Sequence, residues 1–142
     1  MNAQNYTQKS LQAIQAAQQL TIQNQNQQIE QVHLLSALLQ QDGGLVPQLL
    51  KKMGISVESL DAAVTAEVNK LPRVTGSGRE ADRFYVSRQV DETLTKSEEL
   101  AKSMKDDFVS VEHLLLALID CADNTLKDLF RTCNIKKEAV LQ

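Results

Sequence analysis

Residues 32–39 read VHLLSALL, and residues 112–119, which lie 80 positions further along the chain, read EHLLLALI. His33 and His113 occupy the same place in the two segments, and apolar residues match at nearly every other position. In a helix with this sequence, leucines face more than one side, which predicts a largely buried helix in each segment. The two segments indicate that the chain contains two copies of one buried helix.

The same offset relates residues far outside these segments. Similarity that persists over so long a span indicates a tandem duplication. No segment of useful length alternates apolar and polar residues as a half-buried strand does. We therefore predict an all-α fold, a tandem duplication of a four-helix repeat that forms one pseudo-twofold domain of about eight helices. The matched pairs are Thr7 with Ser87, Ile14 with Leu94, Leu20 with Leu100, Ile29 with Val109, Gly54 with Asn134, and Ile55 with Ile135.

Start and stop residues divide each copy into helices. Thr7 and Ser87 are good N-caps for the first helix, and Ser110 is one for the second helix of copy 2. Gly54 and Asn134 are expected to end the third helix, because both residue types readily take the left-handed conformation. The predicted ranges are 31–41 and 111–121 for the second helix, 45–53 and 126–133 for the third, and, for the fourth, from Ser56 to Pro72 in copy 1 and from near Lys136 in copy 2.

We divide the chain into a first repeat at residues 6–71, a linker at 72–85 and a second repeat at 86–142. Glycines, a serine and charged residues predict an extended, solvated linker. Each copy is too small to bury its own apolar face well, so we expect the copies to pack together. The apolar pattern of the last helix is interrupted at the end of the sequence, which suggests a fragment of a longer protein.

Composition excludes several classes of partner. The 142 residues carry a net charge of −3 and no basic stripe, which argues against nucleic acid. No apolar run reaches the roughly 20 residues that span a bilayer, and no secretory signal opens the chain. Cys121 and Cys133 match neither a redox pair nor a zinc motif. We expect them to be buried, reduced residues of a cytoplasmic protein.

A search for catalytic motifs predicts that this chain is not an enzyme. Its 5 glycines form neither a phosphate-binding loop nor a dinucleotide-binding turn. His33 and His113 occupy equivalent positions without a second histidine at helical spacing, so we assign them a shared structural role near a helix start. Cys133 has no histidine near it in sequence, so a nucleophilic pair has no local support. We therefore expect no metal or cofactor in this part of the protein.

Three stretches together resemble a known family. Residues 110–118 (SVEHLLLAL) are similar to the Clp N-terminal repeat at the start of Clp ATPases, and residues 29–39 (IEQVHLLSALL) with the following Gly43-Gly44 are similar to its ClpB branch. Residues 71–78 (LPRVTGSG) resemble the LPxVxGxG linker of that branch. The resemblance implies the N-terminal domain of a homohexameric disaggregase that works with the DnaK system. ATP and Mg²⁺ would belong to modules outside these 142 residues, and the fragment alone would be a monomer.

The resemblance also implies where unfolded or aggregated proteins would bind. The matching positions are Thr7, Asp106 and Glu112, with Leu94 as a candidate wall of an adjoining groove. Thr7 and Glu112 also have a structural interpretation, as an N-cap and a first-turn residue. A shallow aliphatic groove between the copies would bind exposed apolar segments loosely and with little sequence preference.

An alternative is the N-terminal domain of a Clp protease unfoldase of the ClpC or ClpA type, which docks adaptors or, in ClpC, phosphorylated arginine. ClpC-type domains are expected to carry an acidic residue before the histidine in both copies. Here Glu112 precedes His113, but Val32 precedes His33. This difference argues against recognition of phosphoarginine by both copies.

Overall fold

Helices dominate residues 2–74 and 85–141, the part of the chain that the computed structural model describes. Over these residues the structure has no β-strand, only isolated parallel bridges, so the predicted all-α fold is confirmed. A short 3-10 helix, Ala3–Asn5, precedes the first α-helix. The α-helices are α1 Gln8–Gln23, α2 Gln31–Leu39, α3 Leu45–Lys52, α4 Val57–Lys70, α5 Arg88–Ser103, α6 Val111–Asp120, α7 Asn124–Thr132 and α8 Lys137–Leu141.

The predicted N-caps are present. The Thr7 hydroxyl accepts a hydrogen bond from the Ser10 backbone N–H (3.2 Å), and Ser87 caps α5 in the same way. Helix α7 begins two residues earlier than predicted, because Asp123 caps it by accepting from the Leu126 backbone N–H (2.9 Å). The prediction missed this cap because the apolar pattern of the segment begins only at Leu126.

Residues with a left-handed backbone conformation follow equivalent helices in the two copies. Gly54 (φ 79°) follows α3 and Asn134 (φ 57°) follows α7, as predicted. Gln25 (φ 57°) and Lys105 (φ 60°) do the same after α1 and α5. Neither glutamine nor lysine favours this conformation, so the sequence carries no signal for the second pair.

The core is built around α2 and α6, which contact each other at the centre. In copy 1, α1 and α4 pack on α2, while α5, α7 and α8 pack on α6. The leucines of the two central helices are buried on all sides, as their pattern predicted. The fully buried ones are Leu34, Leu35, Leu38, Leu114, Leu115, Leu116 and Leu118.

The two copies are joined by reciprocal backbone hydrogen bonds. The Thr7 N–H donates to the Val109 carbonyl (2.9 Å), and the Ser87 N–H donates to the Ile29 carbonyl (2.9 Å). Ser87 lies 80 residues after Thr7, and Val109 lies 80 residues after Ile29, so the second bond repeats the first with the two copies exchanged. The predicted pseudo-twofold arrangement is therefore confirmed. A second pair of hydrogen bonds shows the same symmetry. The Val109 N–H donates to the Asn5 carbonyl (2.8 Å), and the Ile29 N–H donates to the Tyr85 carbonyl (2.9 Å).

Most of the predicted linker lies outside the described residues, which exclude 75–84. Within the part of the chain that the structure covers, none of the helices is both long and apolar enough to cross a membrane.

Candidate functional site

The loop between α5 and α6 positions the side chain of Asp106. The Ser110 backbone N–H donates to Nδ1 of the buried His113 ring (2.9 Å), so the ring proton lies on Nε2. That nitrogen donates to Oδ2 of Asp106 (2.8 Å). Asp106 is exposed, but the hydrogen bond from the buried His113 fixes the position of one of its carboxylate oxygens.

Copy 1 repeats this arrangement with one change. The Glu30 backbone N–H donates to Nδ1 of His33 (2.8 Å), and Nε2 of His33 is paired with Oδ1 of Asn26 (2.8 Å). Both histidines therefore complete a capping box at the start of a buried helix, which is the structural role that the sequence predicted. Copy 2 has a carboxylate where copy 1 has an amide.

Thr7 lies against the other side of the same segment. Its backbone N–H bonds the Val109 carbonyl, which also accepts from the Ser10 hydroxyl (2.9 Å). The Thr7 side chain is half-buried and serves as the α1 cap. Thr7 therefore contacts the last residue of the segment 106–109, and Asp106 is the first residue of that segment.

Glu112 lies in the first turn of α6, where the helix dipole favours a negative charge. Its side chain is half-buried, and its carboxylate makes no hydrogen bond or ion pair with another described residue. Leu94, in contrast, is buried in α5 with 5% of its surface exposed, so it contributes little surface to any groove.

A groove of about 460 Å³ runs between α5 and residues 106–109. Of the four predicted site residues, Asp106 alone is among those that line it. The sequence analysis missed Glu98 and Glu99, although their place on one helix facing this loop follows from the period of α5. The lining residues are Asn5, Thr95, Glu98, Glu99, Ala101, Lys102, Asp106, Asp107 and Val109.

Exposed apolar side chains flank the loop. Phe108 is 52% exposed and Met104 is 38% exposed, so both offer apolar surface to a binding partner. A second groove of about 460 Å³, between α1 and α2, is lined by several glutamines and a single carboxylate, that of Asp42. The first groove differs from it in its carboxylates, those of Glu98, Glu99, Asp106 and Asp107.

The histidine, cysteine and carboxylate side chains of the described residues form no group of three or more that could hold a metal ion. Cys121 and Cys133 follow the C-terminal ends of α6 and α7 and are half-buried, not buried as predicted, although Cys133 packs against the core. Burial, together with Asp120 and Glu92, raises the pKa of the Cys121 thiol, which makes it a poor nucleophile.

Residues 5–133 match the Clp repeat (R) N-terminal domain. The chain belongs to this family of Clp repeat N-terminal domains. In sequence it is similar to the chaperone protein ClpB of Clostridium perfringens, with 34% identity over 143 residues that cover 100% of this chain. It is also similar to ClpB of Porphyromonas gingivalis, with 37% identity over 99% of the chain. The chain spans 16% of the length of each of these relatives.

Solved structures show the same fold. The Hsp104 N-terminal domain of Candida albicans superposes with a TM-score of 0.80 at 24% identity, over 96% of this chain and 86% of that one. The N-domain of ClpV in a complex with a VipB peptide superposes with a TM-score of 0.70 at 21% identity, over 95% of this chain and 81% of that one.

Proposed function

We propose that this chain is the client-capturing N-terminal domain of an ATP-driven disaggregase of the ClpB type, and that it binds exposed apolar segments of unfolded proteins. The observation that supports this most directly is the surface around the α5–α6 loop. There Phe108 and Met104 are exposed beside Asp106, which is held by the buried His113. Such a surface offers apolar contact and fixed polar groups together.

The shape of the surface favours weak binding. A shallow groove removes limited apolar area from water, at roughly 25 cal/mol per Å². Ordering a flexible client offsets much of that gain, so a micromolar or weaker affinity is expected. Weak capture fits a domain that must pass its client on to the rest of the machine.

The proposal extends to the protein of which this domain would be a part. By similarity to the ClpB chaperones, that protein would be a cytoplasmic homohexamer that acts with the DnaK system. ATP and Mg²⁺ would bind outside this domain, which would itself hydrolyse no ATP. The ClpV N-domain, which has this fold, is known in a complex with a peptide, and this supports peptide capture as a use of the fold.

We expect Thr7→Ala combined with Glu112→Ala to weaken the binding of unfolded casein several-fold, because Thr7 packs against residues 106–109 and Glu112 follows them in the first turn of α6. Loss of the Thr7 cap should lower stability by about 1 kcal/mol. NMR titration of the amide signals measures the affinity and locates the contact. Casein should shift the signals of α1 and of residues 87–118; if these signals do not move, the groove assignment is wrong.

Ser56→Ala is the matched control. Ser56 caps α4 as Thr7 caps α1, but it lies outside α1 and residues 87–118. The control should lose a similar stability and retain casein binding. Equal loss of binding in both variants would mean that the effect of Thr7 comes from stability alone.

The alternative function, docking of phosphorylated arginine as in ClpC, requires an acidic residue before each histidine. Val32 is apolar and only 5% exposed, so the position before His33 offers no group to bind a guanidinium. Free phosphoarginine should leave the amide signals around Val32 unchanged. Tight binding there would favour the ClpC-type function over the one proposed.

A further inference from the structure

The groove between α1 and α2 shares no lining residue with the groove at the α5–α6 loop, and it is elongated. Its wall on α1 extends from Lys9 to Gln23. At about 1.5 Å of rise per residue, these two positions lie about 21 Å apart along the helix axis. An extended polypeptide advances about 3.4 Å per residue, so about six residues match this length. The shape suits an extended chain better than a compact small molecule.

Small side chains make room for this groove. Ala16 on α1 and Ser36 and Ala37 on α2 lie along it. In copy 2 the residues equivalent to Ala16 and Ser36 are Lys96 and Leu116. Leu116 is fully buried, so copy 2 places a large side chain where copy 1 has a small one. The opening is therefore a property of the side chains of copy 1 and does not follow from the helix arrangement that the copies share.

The rim of the groove carries amides where copy 2 has carboxylates. The equivalent pairs are Gln12 with Glu92, Gln19 with Glu99, and Gln40 with Asp120. An amide, unlike a carboxylate, carries no charge and can both donate and accept hydrogen bonds. Lys9 and Asp42 are the charged residues of the lining, and their charges cancel. The groove therefore has no net charge, and its rim can pair with either polar group of a peptide bond.

Gln41 closes one end of the groove. Its Nε2 donates to the Lys9 carbonyl (2.9 Å), which joins the end of α2 to the start of α1. Gly44 leaves room for this side chain, because a Cβ at residue 44 would lie 2.8 Å from the Gln41 Cβ. The Gln41 Oε1 is buried and accepts no hydrogen bond from a described residue. A buried acceptor without a donor is unfavourable, so this end favours an occupant with N–H or O–H groups.

We propose that the groove between α1 and α2 is a docking site for an extended, uncharged segment of a partner polypeptide that carries glutamine, asparagine or serine side chains. The backbone of the segment would pair with Gln12 and Gln19, and its small side chains would cover Ala16 and Ala37. A charged segment is disfavoured, because the amides of the rim offer no opposite charge in exchange for its hydration. This inference does not rest on client capture at the α5–α6 loop and adds a second interaction surface of different chemistry.

The test uses three blocked hexapeptides of one pattern. The first is acetyl-Ser-Gln-Ala-Gln-Ser-Gln-amide, and the other two carry glutamate or lysine in place of the glutamines. In an NMR titration of the whole domain, the glutamine peptide should shift the amide signals of Ala16, Gln19, Ala37 and Gln41. It should bind roughly fivefold more tightly than either charged peptide. Equal affinity for the three peptides would contradict the proposed chemistry of the site.

Ala16→Lys places in the groove the residue that copy 2 has at the equivalent position. Ala16 is exposed, so the fold should be retained. The lysine side chain should occupy the groove and weaken the glutamine peptide by roughly fivefold or more. Ala66→Lys, at an exposed position on α4, makes the same substitution outside the groove and should leave the affinity unchanged.

Gln19→Glu tests the charge of the rim separately from its shape, because it installs the carboxylate that copy 2 carries at Glu99. The variant should bind the lysine peptide roughly twofold to threefold more tightly than the wild type does. Gln15→Glu, at an exposed position on α1 that does not line the groove, should not change this affinity.

The outcomes separate this inference from the proposed function. Casein should still shift the signals of residues 87–118 in the Ala16→Lys variant, because none of these residues lines the groove between α1 and α2. If the glutamine peptide shifts no signal in the groove, or binds Ala16→Lys as tightly as the wild type, the docking site is wrong while client capture stands. Concentration-dependent shifts at Ala16 and Gln19 without peptide would show that a second copy of the chain covers the groove, which also overturns this inference.

Discussion

Tyr6 connects the two copies through a side chain that is both buried and hydrogen-bonded. The residue is 4% exposed, and its hydroxyl donates to Oε2 of Glu98 on α5 (3.0 Å). Burial raises the pKa of the hydroxyl above its ordinary value of 10.0, and the negative charge of Glu98 raises it further. The folded state is therefore more stable when Tyr6 is neutral than when Tyr6 is ionised.

This raised pKa predicts a pH dependence of stability. The stabilisation should be complete below pH 10, where the unfolded residue is also neutral, and should be lost as the pH rises above that value. Tyr6→Phe should cost about 1 kcal/mol at neutral pH through the lost hydrogen bond. Above pH 10 the free energy of unfolding should fall less steeply for the variant than for the wild type. Urea unfolding at a series of pH values measures this, and parallel pH profiles would contradict it.

Asn26 in copy 1 and Asp106 in copy 2 show how one residue can give two similar sites a different charge. Both side chains accept a hydrogen bond from a buried histidine. The histidines were predictable from their repeat positions, but their partners lie 7 residues away across a loop. Only the left-handed turn at Gln25 and Lys105 brings those partners back to the ring, and nothing in the sequence marks that turn.

At the scale of an element, the ends of α3 and α7 use two different residues for one conformation. Gly54 and Asn134 both have a positive φ, of 79° and 57°. A Cβ added at Gly54 would meet no heavy atom within 4 Å, so a substitution there strains the backbone without a steric clash. A substitution at Gly54 therefore measures the free-energy cost of placing a residue with a Cβ in the left-handed conformation, without a contribution from steric clashes.

Gly54→Ala should lower the free energy of unfolding by about 1 kcal/mol, because alanine disfavours a positive φ. Gly54→Asn should cost less, because asparagine already occupies the equivalent position after α7. Thermal unfolding of the two variants, followed by circular dichroism, provides the measurement. Equal losses would show that the conformation of residue 54 does not determine the effect.

For the whole molecule, Gln31 at the start of α2 connects the copies with a buried polar clamp. Its side chain is fully buried. Its amide nitrogen donates to Thr93 Oγ1 (3.0 Å) and to the Cys121 carbonyl (2.8 Å), and its oxygen accepts from the Asp123 backbone N–H (3.0 Å). The pseudo-twofold symmetry fails here, since the equivalent residue is the apolar Val111.

Removing this clamp should destabilise both copies together. Gln31→Ala removes the partner of the part-buried Asp123 N–H and Cys121 carbonyl, which should lower the free energy of unfolding by about 1–3 kcal/mol. Gln19→Ala, at an exposed position on α1, should change it by less than about 0.5 kcal/mol. Unfolding in urea should remain a single transition for all three proteins. Two separate transitions in the Gln31 variant would mean that the clamp joins halves that otherwise fold independently.

The sequence by itself determined the all-α class, the duplication, most helix ends and the structural role of the two histidines. These features follow from local patterns, since helical periodicity and caps are properties of neighbouring residues. Only the tertiary structure decided that Leu94 is buried, that Glu98 and Glu99 line a groove with Asp106, and that a second groove runs between α1 and α2. Those relations join residues that are distant in the chain, and packing around α2 and α6 sets the distances between them.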